Sequence, residues 1–156
     1  MSQTPRSAPG RVAAIDYGTV RIGVAISDPG RSIASPLESY VRRNRDLDAR
    51  QFAHLAAEEG IVLWVVGLPI HLDGRESRKS TEARSFGKWL ADVTGVPVEF
   101  FDERFTSVEA EAMLLQAELT NKRRKKRIDM VAAQIILAAY LESSTKGQGP
   151  PGALED

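Results

Sequence analysis

The residues from Ala13 to Ser27 read Ala-Ala-Ile-Asp-Tyr-Gly-Thr-Val-Arg-Ile-Gly-Val-Ala-Ile-Ser, so that an apolar run ends in an acid, a glycine turn follows, and a second apolar run begins. Two β-type runs joined by a short glycine-containing turn predict an antiparallel hairpin over residues 12–16 and 21–27. A third strand is expected over 35–41, after the turn Asp28-Pro29-Gly30. Asp16 would then stand at the end of a strand, a carboxylate pinned on rigid backbone.

The remainder alternates helix and strand. Over 46–59, Phe52, Leu55 and Ala56 share one helical face and Gly60 offers a left-handed C-cap. Residues 61–66 form a continuous apolar run, as expected for a central strand covered on both sides. Ala83, Phe86, Leu90 and Val93 mark an amphipathic helix over 76–93, ended by Gly95 and Pro97, and 98–101 reads as the last strand. Thr106 with Glu109 makes a capping-box pattern for a helix carrying Val108, Ala112, Leu115 and Leu119. A final helix is expected over 129–142. These elements predict an α/β fold: a mixed sheet of three antiparallel strands followed by parallel ones, with helices on both faces.

A chain of 156 residues fits a single domain, placed here at 11–142. Residues 1–10 are polar and read as a disordered lead without the apolar core of a secretory signal. Residues 143–156 are rich in Gly, Pro, Ser and charge and read as a disordered tail. With 21 acidic and 21 basic residues and no cysteine, the chain has no overall field to draw it to polyanions, and thiolate chemistry and cysteine zinc sites are excluded. No apolar run approaches the roughly 20 residues of a membrane span, so a cytoplasmic protein is expected.

Two further acids stand at element boundaries: Glu103, in Phe-Asp-Glu-Arg at 101–104, and Asp129, in Arg-Ile-Asp-Met at 127–130. In such sheets ligands collect beyond the carboxyl ends of the parallel strands. Three carboxylates converging there repel one another unless a cation sits between them. Oxygen ligands without His or Cys favour Mg2+ or Mn2+, and the corresponding chemistry is phosphodiester hydrolysis. Each acid also has a plainer reading: Asp16 as a turn residue, Asp129 as an N-terminal helix acid, and the Asp102–Glu103 pair as a solvated strand end near Arg104.

Lys122, Arg123, Arg124, Lys125, Lys126 and Arg127 are six consecutive cations just before Asp129. Such a run grips phosphates without reading sequence, or it is a solvated loop. Arg42, Arg43 and Arg45 form a second, weaker cluster. Gly67, Gly74 and Gly18 are expected in loops where backbone amides can approach a phosphate, a strand-exit turn being the alternative. Trp64 and Trp89 read as packing residues.

The combination Asp16-x-Gly18-x-x-Arg21-Ile22-Gly23, Val66-Gly67-Leu68-Pro69 with Asp73-Gly74, Asp102-Glu103-Arg104-x-Thr106 and Asp129 opening an alanine-rich helix resembles the YqgF or RuvX family, from Val12 to about Leu141. The resemblance implies an RNase H-like fold and a metal-dependent nuclease that trims the 5′ end of precursor 16S rRNA in ribosome biogenesis, or alternatively a Holliday junction resolvase. It implies Asp16, Glu103 and Asp129 as the catalytic, metal-holding set, with Asp102 as a substitute because neighbouring strand residues face opposite ways. Arg21 and the six-cation run are the expected nucleic-acid contacts. The partner would be structured RNA or branched DNA, and the protein a monomer or homodimer. A non-catalytic nucleic-acid module and a sugar-kinase or actin-like nucleotide site remain as alternatives, the latter needing a second domain that this length does not supply.

Overall fold

The computed structural model describes residues 9–106 and 121–147. Five strands form one sheet: β1 (Arg11–Asp16), β2 (Arg21–Ser27), β3 (Ala34–Val41), β4 (Ile61–Leu68) and β5 (Val98–Asp102). Their spatial order is β3-β2-β1-β4-β5. β1 and β2 pair antiparallel, as do β2 and β3, whereas β4 runs parallel to both β1 and β5. The expected mixed sheet is therefore formed, with β1 at its centre.

Helices α1 (Arg45–Glu59) and α2 (Arg78–Thr94) cover one face. Phe52, Leu55, Ala83, Phe86 and Leu90 bury against Ile15, Ile22, Val24, Trp64 and Val66 there. The other face carries α3 (Asn121–Gly147), whose Ala133, Ile136, Leu137 and Tyr140 pack on Val12, Ala14, Ala25, Leu63 and Val65. Along β1, odd residues thus serve the α1/α2 core and even ones the α3 core, the period-2 alternation of a strand covered on both sides. Asn44 caps α1 by accepting from the Leu47 amide, and Gly60 ends it at φ 66° as expected.

Four boundaries differ from expectation by two residues or more. β4 continues to Leu68, because Gly67 and Leu68 pair with Phe101 and Asp102 of β5; Gly67 is thus a strand residue and not a loop one. α2 starts at Arg78, Ser77 being its N-cap in a reciprocal capping box with Ser80. α3 starts at Asn121, eight residues before Asp129, so the six-cation run is helical; Lys and Arg are good helix formers. The same helix runs to Gly147, past the boundary expected at 142. The helix expected over 106–119 lies, apart from Thr106, outside the described residues, as do residues 1–8 and 148–156. No helix among the described residues is long and apolar enough to cross a membrane.

Candidate active site

Asp16 ends β1 with its side chain on the α3 face, following the alternation set by Val12 and Ala14. Its two flanking strand positions are both bare. On one side it pairs with Gly23 of β2. On the other, the ladder that pairs Ile15 with Val66 brings Gly67 alongside it. A Cβ on Gly23 would lie 2.0 Å from the carbonyl oxygen of Asp129, so the missing side chain lets α3 settle directly on the strand. A Cβ on Gly67 would lie 2.7 Å from Glu103 Oε2 and 2.7 Å from Ile136 Cδ1. One glycine admits the Asp129 backbone and the other the Glu103 carboxylate, each within about one strand spacing of Asp16.

The acids differ in their partners. Among the described residues, neither the Asp16 nor the Glu103 carboxylate has a hydrogen bond or an ion pair. Asp102 faces away and is fully engaged: its carboxylate accepts from Arg104 Nε at 2.8 Å, Nη2 at 2.6 Å and the Arg104 amide at 2.9 Å, which lowers its pKa. Asp129 Oδ2 accepts from Arg21 Nε at 2.8 Å and Ser39 Oγ at 3.1 Å. Asp129 borders an open crevice with Arg21 and Lys79, whereas Glu103 borders a separate one with His71 and Arg104. Among the described residues no three His, Asp or Glu side chains form a metal-binding group. Asp16 and Glu103 act on each other electrostatically, and Asp129 is paired with Arg21.

Burial pushes the Asp16 carboxyl up to about 7, the Glu103 charge adds to this, and Asp129 contributes more weakly, against an offset from Lys79. Glu103 is raised as well, by burial first, and Lys79 again opposes the shift. Lys79 is the residue that sequence reading missed. It lies in the first turn of α2, and with Arg21, Arg78, Gly18 and Asp129 it lines an open crevice of about 470 Å³. A signal was present, for this turn holds cations and no acid, whereas a helix N-terminus prefers acids. Such an arrangement favours an anionic ligand.

The other expected contacts are dispersed. Gly18 shapes the hairpin turn, where a Cβ would meet the Arg21 carbonyl at 2.4 Å. Gly74 takes a left-handed φ of 91° in the exposed loop before α2, near Arg104. Arg21 contacts Asp129 and lines the same crevice. Arg127 is exposed on α3; the side chains of Lys122, Arg123, Arg124, Lys125 and Lys126 lie outside what the structure describes. Trp64 is wholly buried, and Trp89 packs on Phe52 and Phe86.

The hairpin-led sheet with α3 on the acid-bearing face defines an RNase H-like α/β protein. Two solved structures share it: Thermus thermophilus RuvC in complex with a Holliday junction substrate, at TM-score 0.54 and 17% identity over 87% of this chain and 97% of that one, and the Fowlpox virus resolvase with Holliday junction DNA, at TM-score 0.53 and 14% identity over 87% and 99%. At such identities the likeness concerns fold alone. The family model for RuvX, described as Holliday junction resolvase, matches residues 10–143, and the chain belongs to that family. A Rhodopirellula baltica protein named "Putative pre-16S rRNA nuclease" is 51% identical over 150 residues, spanning 96% of this chain and 87% of its own length. A Koribacter versatilis protein of the same name is 40% identical over 138 residues, 88% of this chain and 90% of that one.

Proposed function

We propose that the chain is a metal-dependent nuclease that hydrolyses phosphodiester bonds at the sheet edge where Asp16 and Glu103 lie, acting on the 5′ end of precursor 16S rRNA in the cytoplasm. The observation that carries this reading is the pair of carboxylates, Asp16 and Glu103, that have no hydrogen-bond or ion-pair partner among the described residues, beside a cationic helix start. A purely structural pair of acids would have acquired hydrogen-bond donors, and a pair left without them is matched to a cation. Their all-oxygen donor set fits Mg2+ or Mn2+. When bound, such an ion supplies charge neutralisation at the phosphate and water activation.

The chain's own residues account for the rest. Asp16 and Glu103 hold negative charge at a fixed place on the sheet edge. Lys79 and Arg78 attract the non-bridging oxygens of a phosphate, and the α2 amides add their positive dipole end. Asp129 is withheld by Arg21 and Ser39; a phosphate that engages Arg21 frees it to face Asp16. Substrate arrival and completion of the acidic site are thereby coupled.

The test is digestion of precursor 16S rRNA by wild type, Asp16→Asn and Lys79→Ala with Mg2+ or Mn2+. Wild type is expected to cleave, Asp16→Asn to lose activity by about a thousandfold or more, and Lys79→Ala to raise KM and weaken the salt dependence of binding by about one unit of slope. Undiminished cleavage by Asp16→Asn would refute the site. The family description supports a second reading, incision of four-way DNA, which needs two active sites in a dimer; paired nicks in a junction by a sedimenting dimer would select it.

A further inference from the structure

A second cavity, of about 290 Å³, opens between Tyr17 just past the end of β1, the start of α1 and the second and third turns of α2. Tyr17, Arg42, Arg45, Phe86 and Trp89 line it, with Ser85 and Glu82 at its polar edge. Its size is at the low end for ligand pockets, roughly 300 Å³ upward, enough for one flat ring system and too little for a duplex. Arg42 is fixed as part of its wall. The guanidinium lies 5.4 Å from the Tyr17 ring centre and 5.7 Å from that of Phe86, and Nη1 donates to Tyr17 Oη at 3.2 Å and to the Gly18 carbonyl at 3.1 Å. Arg45 is exposed and has no partner among the described residues. The weak basic cluster at 42–45 thus lands on an aromatic-walled pocket.

This pocket adjoins the crevice lined by Lys79, Arg21 and Asp129. Glu82 lines both, and Gly18, whose carbonyl holds Arg42, lines the crevice. From Lys79 to Ser85 along α2 is about 9 Å at 1.5 Å per residue. A phosphate at Lys79 therefore lies within about one and a half nucleotide spacings of the opening, roughly 9 Å. Planar guanidinium and aromatic walls suit the π-face of any base, and polar edges suit its amino and carbonyl groups.

We propose that this pocket receives one unstacked nucleobase of the substrate strand, beside a phosphate held in the adjoining crevice at Lys79. The proposal rests on the nuclease reading for the identity of that strand. It implies that the enzyme engages an unpaired nucleotide next to the cut, in RNA or DNA alike.

The test separates the two readings. Tryptophan fluorescence of metal-free Asp16→Asn protein is titrated with the tetranucleotides rU4 and dT4. Trp64 is wholly buried, so quenching reports Trp89 and is expected to vanish in Trp89→Phe. Arg45→Glu and Ser85→Glu, both at exposed positions, should each weaken binding about tenfold. In the cleavage assay with active enzyme they should raise KM while leaving kcat in place. A substrate abasic at the nucleotide beside the cut should show the same KM rise with wild type. Quenching by rU4 alone, dT4 alone or both names the polymer and upholds the pocket. Cleavage indifferent to the abasic change and to both variants, with no quenching, overturns the pocket and leaves the nuclease intact. Quenching without any cleavage upholds the pocket and removes the nuclease. Saturation by ATP with no response to either tetranucleotide makes it a free-nucleotide site and overturns the proposal.

Discussion

Asp16 shows how a single side chain is set for function at the expense of stability. Its carboxyl titrates near 7 in the fold against 3.8 ordinarily. The folded state therefore binds the proton more tightly than the unfolded chain. Stability from this group is fully present below about pH 4 and is lost as pH rises through about 7. In metal-free protein, Asp16→Asn removes that loss: the variant is expected to be more stable than wild type at pH 8, by roughly 4 kcal/mol at most, and the difference should disappear near pH 4. Urea unfolding of both proteins in EDTA at the two pH values checks this. An equal difference at both would mean that the effect is steric rather than ionic.

At the scale of elements, the site is made by what β2 and β4 omit. Gly23→Ala sets a methyl group against the Asp129 backbone, which moves only if α3 moves, so a loss of about 3 kcal/mol or more is expected. Gly67→Ala meets only the far ends of Glu103 and Ile136, which can swing aside. Its melting temperature should fall little, while cleavage falls at least tenfold because Glu103 is displaced. Thermal melts and single-turnover rates on the two variants separate the roles. Much of this architecture was legible: the hairpin, the Gly60 cap, the buried faces of α1 and α2 and the acid-bearing strand ends all follow from local periodicity. The function of Gly67 was not, because a glycine after an apolar run looks like a turn, and only pairing with β5 extends the strand through it. The early start of α3 was hidden by reading six cations as a solvated loop and Asp129 as an N-terminal acid. The latch between Arg21 and Asp129 joins residues 108 apart in sequence, which no local pattern announces.

For the whole molecule, zero net charge means that any attraction to a polyanion is local, and Arg78 and Lys79 at the start of α2 are one place where cations line an open crevice. Asp16 and Glu103 lie near the same edge, where Lys79 acts on both, so charges of each sign stand side by side. Binding of a divalent ion to the acids must compete with the Asp16 proton, and a ligand carboxylate has to release it. Below the Asp16 value of about 7, cation affinity should fall about tenfold per pH unit, and near pH 6 uptake of Mn2+ should release about one proton per site. Calorimetric titration in two buffers of different ionisation enthalpy measures that proton directly. Asp16→Asn should bind weakly and release none. Arg21→Gln should bind the ion more tightly than wild type, since Asp129 loses the cation that holds it aside. If wild type takes up Mn2+ with no proton released and no dependence on pH between 5.5 and 7, the ion sits elsewhere on the molecule and the Asp16–Glu103 pair does not hold it.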